Sequence, residues 1–91
     1  MLVLPAELTQ AQATLCLAAL SRALPEESGA DVVHIDASAL TRFDSAALAV
    51  LLELRRQSQR LGRRFQAHAL PAPLLDLARL YGIDALLVEA A

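Results

Sequence analysis

The sequence predicts an α/β domain: a small, open, mostly parallel sheet with about three helices packed on it. Three observations carry that expectation. Short apolar or alternating segments at residues 2–8, 31–36, 65–70 and 86–89 are separated by longer stretches in which leucine and alanine recur at helical spacing, which reads as β-α-β-α-β-α-β. Connections long enough to hold a helix imply crossovers between parallel strands. Finally, 91 residues with 56% hydrophobic and 20% charged side chains suit a single globular core, so residues 1–91 form one domain.

The first strand is Leu2-Val3-Leu4, halted by Pro5 and resumed at Glu7 and Leu8; proline inside it points to an edge or a bulge. Thr9 with Gln12 three residues later is a capping box. Ala13, Leu17, Leu20 and Leu24 then repeat at helical spacing until Pro25, which predicts a first helix over residues 10–24. Residues 26–29 are a polar turn. Val32, Val33 and Ile35 are β-branched and lead to Asp36, a second strand that leaves the core at an acidic residue.

Ser38 and Thr41 punctuate the connection that follows, and Asp44 stands as N-cap before the apolar run from Ala46 to Leu52. The second helix is expected from Ser45 to about residue 61, with Gly62 at its left-handed end. Ala47, Leu51, Leu54, Ser58 and Leu61 make its core stripe, widened by Leu48 and Leu52, and Ala46, Ala49 and Val50 are assigned to the outward face. A third strand covers residues 65–70. Pro73 is placed at the first position of a third helix with Leu74, Leu77, Ala78 and Tyr81 buried and Gly82 at its end, and residues 86–89 are read as a last strand.

Composition excludes several functions. With 3% aromatic residues and no Trp, the core must be aliphatic. All basic residues are Arg, and Arg55, Arg56, Arg60, Arg63 and Arg64 gather near the end of the second helix, where positive charge complements the macrodipole. A net charge of −2 and the lack of recognition aromatics argue against nucleic acid. Cys16 falls inside a helical apolar pattern and reads as a small core residue of a reducing compartment. No apolar run reaches the roughly 18 residues of a membrane span, and the start lacks the basic region of a signal peptide. The expected location is cytoplasmic.

Nothing in the chain assembles a catalytic constellation. His34 and His68 lie on different strands, no histidine pair has metal-ligand spacing, no glycine-rich elbow surrounds a serine, and no lysine is available for a phosphate loop. The expectation is a non-enzyme with no cofactor and no metal. Asp44 has a structural role as a cap worth about 1 kcal/mol. Ser45 admits three readings: an ordinary first-turn residue, a hydrogen-bond donor across a protein interface, or a phosphorylation site. Ala46, Ala49 and Val50 would make a smooth apolar patch beside it that receives another protein.

At these residues the chain resembles the STAS domain family. Its members carry a strand ending in Asp-x-Ser, then an Asp-Ser or Asp-Thr pair opening a helix; the matching residues here are Asp36, Ser38, Asp44 and Ser45, with Phe43 before the pair and Leu48 after it. The chain is most similar to the MlaB-type stand-alone STAS subunits, also through its later Leu77-Ala-Arg-Leu-Tyr-Gly82 segment. The family's sheet usually begins with one more strand, which is expected to be absent before Leu2, and Ala47 stands where anti-sigma-factor antagonists usually carry Gly. The resemblance implies an accessory subunit bound to the ATPase of a phospholipid ABC transporter, peripheral to the inner membrane. The alternative it implies is an anti-sigma-factor antagonist, released from an anti-sigma kinase when Ser45 is phosphorylated. The open first strand would also offer an edge to a homodimer.

Overall fold

A computed structural model describes residues 1–26 and 31–87. Its elements are β1 (Leu2–Val3), β2 (Glu7–Leu8), α1 (Gln10–Ala23), β3 (Val32–Asp36), β4 (Arg42–Phe43), α2 (Ser45–Arg60), β5 (Arg64–His68), α3 (Ala72–Leu80) and α4 (Asp84–Leu87), with a single 3-10 turn at Leu24–Glu26. Among the described residues, β1, β3 and β5 form one sheet in the order β1-β3-β5, and β2 pairs with β4 in a second. All these pairings are parallel. The predicted α/β class with an open parallel sheet is what the chain forms, and β1 ends it as an edge strand.

The first predicted strand is two. Pro5 interrupts it, so Leu2 and Val3 pair with Ile35 and Asp36 while Glu7 and Leu8 cross to Arg42 and Phe43. The carbonyl of Ala6 anchors the shift by accepting from the N–H of both Thr41 and Arg42, at 2.8 and 3.0 Å. Proline has no N–H to continue a ladder, and the chain changes sheets where the ladder stops. β4 itself lies in what the sequence presents as a loop.

Exposure alternates along the central strands. Leu2, Val33, Ile35, Phe65 and Ala67 are buried, whereas Val3, His34, Asp36, Gln66 and His68 are half-buried or exposed. Right-handed crossovers put α1 and α2 on the same face of the sheet, and α3 and α4 pack against α2. The core therefore lies between that face and the helices, with Phe65 as its aromatic member and Leu51, Leu54, Leu74 and Leu87 closing over it.

Helix ends follow local chemistry. Thr9 caps α1, its N–H donating to Gln12 Oε1 at 2.9 Å to complete the capping box. Gly62 and Gly82, at φ of 72° and 71°, take the left-handed turns that end α2 and α3. Ser58 is fully buried and stays satisfied, its hydroxyl donating to the Leu54 carbonyl at 2.8 Å.

Four side-chain and element expectations are corrected. Leu61 and Tyr81, placed in the core stripes, are 47% and 59% exposed because each sits at a helix end where the chain turns away. Pro71 precedes α3 and Ala72 opens it, so Pro73 occupies the second helical position. The strand expected from residue 86 is instead helical at Asp84–Leu87, where the buried Leu87 packs on the core; residues 88 and 89 of that expectation lie outside the described residues, as do residues 27–29 of the polar turn. Isolated β-branched content at Leu86-Leu87-Val88 is too little to specify a strand once a helical turn can bury Leu87.

Candidate docking surface at the paired helix amino ends

Because the strands run parallel, each helix starts from the carboxyl end of the sheet, and the amino ends of α1 and α2 meet there. Asp44 joins them. Its backbone is extended (φ −135°, ψ −167°), as an N-cap requires, and its Oδ1 accepts from Ala46 N–H at 2.8 Å. Its Oδ2 accepts from Gln10 N–H, in the first turn of α1, at 3.1 Å. One carboxylate thus satisfies otherwise unpaired donors of two helices and sits in the positive field of both.

Ser45 follows as the first residue of α2 and is exposed; among the described residues its hydroxyl has no hydrogen-bond partner. Ala46 is half-buried and Ala49 exposed, and together with Gln10, Asp44 and Ser45 they line a shallow open depression. Of the residues the sequence singled out, Asp44, Ser45, Ala46 and Ala49 are gathered here, with Gln10 added and Val50, Asp36 and Ser38 elsewhere. No spacing signal could have supplied Gln10, which lies 34 positions from Asp44 and is joined to it only by the fold.

Val50 does not belong to this surface. It is 2% exposed, because it stands three residues after Ala47 and four before Leu54 and so shares their buried stripe. The buried face of α2 is wide because the helix packs on both α1 and β5.

Asp36 and Ser38 form a separate turn. Ser38 N–H donates to Asp36 Oδ1 at 2.9 Å, and neither residue shares a hydrogen bond with Asp44 or Ser45. The bonds from the Ser38 backbone and then from its side chain hold the Asp36 carboxyl below its ordinary value, with the nearby His68 adding a smaller pull in the same direction. Their role here is to shape the exit from β3.

The remaining reactive groups are placed elsewhere. His34 and His68 contact each other across β3 and β5 at 2.7 Å, a pairing that the sequence reading missed because it depends on strand register. Neither imidazole hydrogen-bonds to Ser45. Cys16 is half-buried against the core, and burial pushes its thiol up. Among the described residues, no three His, Cys, Asp or Glu side chains stand close enough to hold a metal ion. Of the arginines, Arg56 pairs with Glu53 at 3.6 Å along α2, and Arg63 reaches the Leu24 carbonyl at 3.3 Å, tying α2's exit to the end of α1. No described helix is long and apolar enough to cross a membrane.

The surface thus combines a free hydroxyl, small apolar side chains, and a carboxylate whose oxygens both accept hydrogen bonds. A family model described as "Mlab, STAS domain" matches residues 1–89 of the chain. No curated protein matches it.

Proposed function

The chain belongs to the STAS domain family, in its MlaB-type branch, and from that premise we propose that it is a non-catalytic accessory subunit that docks on the ATPase of a phospholipid ABC transporter. The observation that carries this reading is the free Ser45 hydroxyl beside Ala46 and Ala49, over a carboxylate already bonded to two helix amino ends. Two backbone N–H groups and the amino ends of two helices already hold the Asp44 carboxylate, which lowers the cost of drawing a partner over it. Small side chains also let a partner's backbone or side chains come close, and Ser45 supplies one directional hydrogen bond at the centre.

Co-purification of the full chain with the ABC-transporter ATPases of its native cell tests this. The wild-type chain is expected to bring down one such ATPase, and Ser45→Arg and Ala49→Asp, both confirmed folded by circular dichroism, are expected to lose it. Retention of the ATPase by both variants overturns the proposal.

The exposed, unbonded hydroxyl of Ser45 supports a second reading, an antagonist of an anti-sigma kinase. A phosphate here would add about −1.5 to −2 charges next to Asp44. Intact mass after incubation with native lysate and ATP separates the two: one added phosphate, lost in Ser45→Ala, favours the kinase partner.

A further inference from the structure

The sheet surface opposite the described helices holds a histidine pair unrelated to the Ser45 surface. The β3–β5 register sets His34 opposite Gln66 and Asp36 opposite His68, and the imidazoles close the diagonal between those positions. His34 Nδ1 and His68 Nε2 are 2.7 Å apart, while the ring centroids are separated by 4.9 Å and the planes tilted by 30°. Rings so far apart with nitrogens so close meet edge to edge. The contact is a hydrogen bond between two ring nitrogens, and it needs one N–H and one lone pair.

That requirement makes the bond sensitive to protonation. It forms when both rings are neutral and also when one is cationic. With both rings cationic, each nitrogen carries a hydrogen and the short contact cannot exist. We propose that His34 and His68 form a proton-operated latch across β3 and β5, closed while at least one ring is neutral and released by acid when both are charged.

The surroundings fit a device that tolerates one charge and resists two. Asp36, on the same surface of β3 and opposite His68 by register, places a carboxylate beside the pair, a neighbour suited to one positive charge. Arg64, earlier on the same surface of β5, opposes a second. Among the described residues, the helices pack on the opposite face of the sheet, over Val33, Ile35, Phe65 and Ala67. While closed, the latch is one more tie between β3 and β5, and a doubly protonated pair has no such tie.

The effect is local. His68's carbonyl accepts from Ala37 N–H at 2.9 Å, the backbone bond that closes the carboxyl end of the two strands, whereas Arg64 N–H donates to Asp31 O at 2.8 Å at their other end. Val33, Ile35, Phe65 and Ala67 remain buried beneath both.

Amide hydrogen exchange of the full chain, corrected for intrinsic rates, tests the latch between about pH 7.5 and about pH 4.5, spanning the ordinary range of imidazole. Protection of Ala37 is expected to fall about tenfold more than that of Arg64 on acidification, and the difference is expected to vanish in His34→Gln and in His68→Gln. An equal response of the two amides in the wild type, or an unchanged difference in a folded variant, overturns the proposal. A readout that needs no variant is the nitrogen–nitrogen coupling across the His34–His68 bond, expected at neutral pH and lost in acid. Its absence at neutral pH, or its persistence with both rings protonated, also overturns it.

Discussion

Asp44 and Gln10 are 34 residues apart in sequence and joined by a 3.1 Å hydrogen bond from the Gln10 N–H to Asp44 Oδ2. The other oxygen caps α2 through Ala46 N–H. Asp44 therefore ties the amino ends of two packed helices together, at the edge of the depression around Ser45.

Removing that carboxylate should cost more than an ordinary cap. Asp44→Ala is expected to destabilise the fold by about 1–2 kcal/mol, the sum of a lost N-cap and a lost tie to α1. Urea unfolding at neutral pH measures it, with the slope unchanged if only stability is altered. A loss no larger than the roughly 1 kcal/mol of a single N-cap would mean that the link to Gln10 carries no energy.

Neighbouring positions of α2 should respond in opposite ways. Val50→Asp buries a charge in the core and is expected to cost more than about 3 kcal/mol, enough to unfold a small domain. Ala49→Asp, one residue earlier and exposed, is expected to stay within about 0.5 kcal/mol of wild type. Circular dichroism and urea titration of the pair check the assignment of faces directly.

Asp36 should titrate below the ordinary carboxylate range. Its lowered value in the fold means that its contribution to stability is present above the unfolded value and is lost as pH falls through the folded one, so the acid limb of stability is the affected window. In Ser38→Ala the backbone N–H donor remains, and since that bond is the largest cause, the carboxyl is expected to move only part of the way back. Carboxyl NMR titration of both proteins reads this; a complete return in Ser38→Ala would show that the side chain dominates.

Ala69 offers a gain in stability. It adopts φ 58° between β5 and α3, a left-handed conformation that disfavours a residue with a Cβ by about 1–2 kcal/mol. Ala69→Gly removes that penalty and adds freedom to the unfolded chain, for a net stabilisation of about 0.5 kcal/mol. The midpoint of thermal unfolding should rise by a few degrees; a fall would place the strain elsewhere.

Local chemistry was sufficient for much of the fold and for the local geometry of the candidate site. The capping box at Thr9 and Gln12, the cap at Asp44, Ser45 at the first turn of α2 and the glycine stop at Gly62 each depend on residues within one helical turn, and all are present. Val50 was also legible, since its spacing from Ala47 and Leu54 places it on the buried stripe; the error lay in assigning it to the opposite face.

What the sequence determined by itself was the alternation of strands and helices, their capped ends, and the exposed hydroxyl at Ser45, because apolar periodicity and capping act over three or four residues. Only the tertiary structure decided that Pro5 divides the first strand between two sheets, that Arg42 and Phe43 form a strand at all, that Asp44 reaches Gln10, and that His34 meets His68. Each of those is a contact between distant segments, set by strand register and helix packing, and two residues that meet only after the chain has closed on itself leave no pattern in their own neighbourhoods.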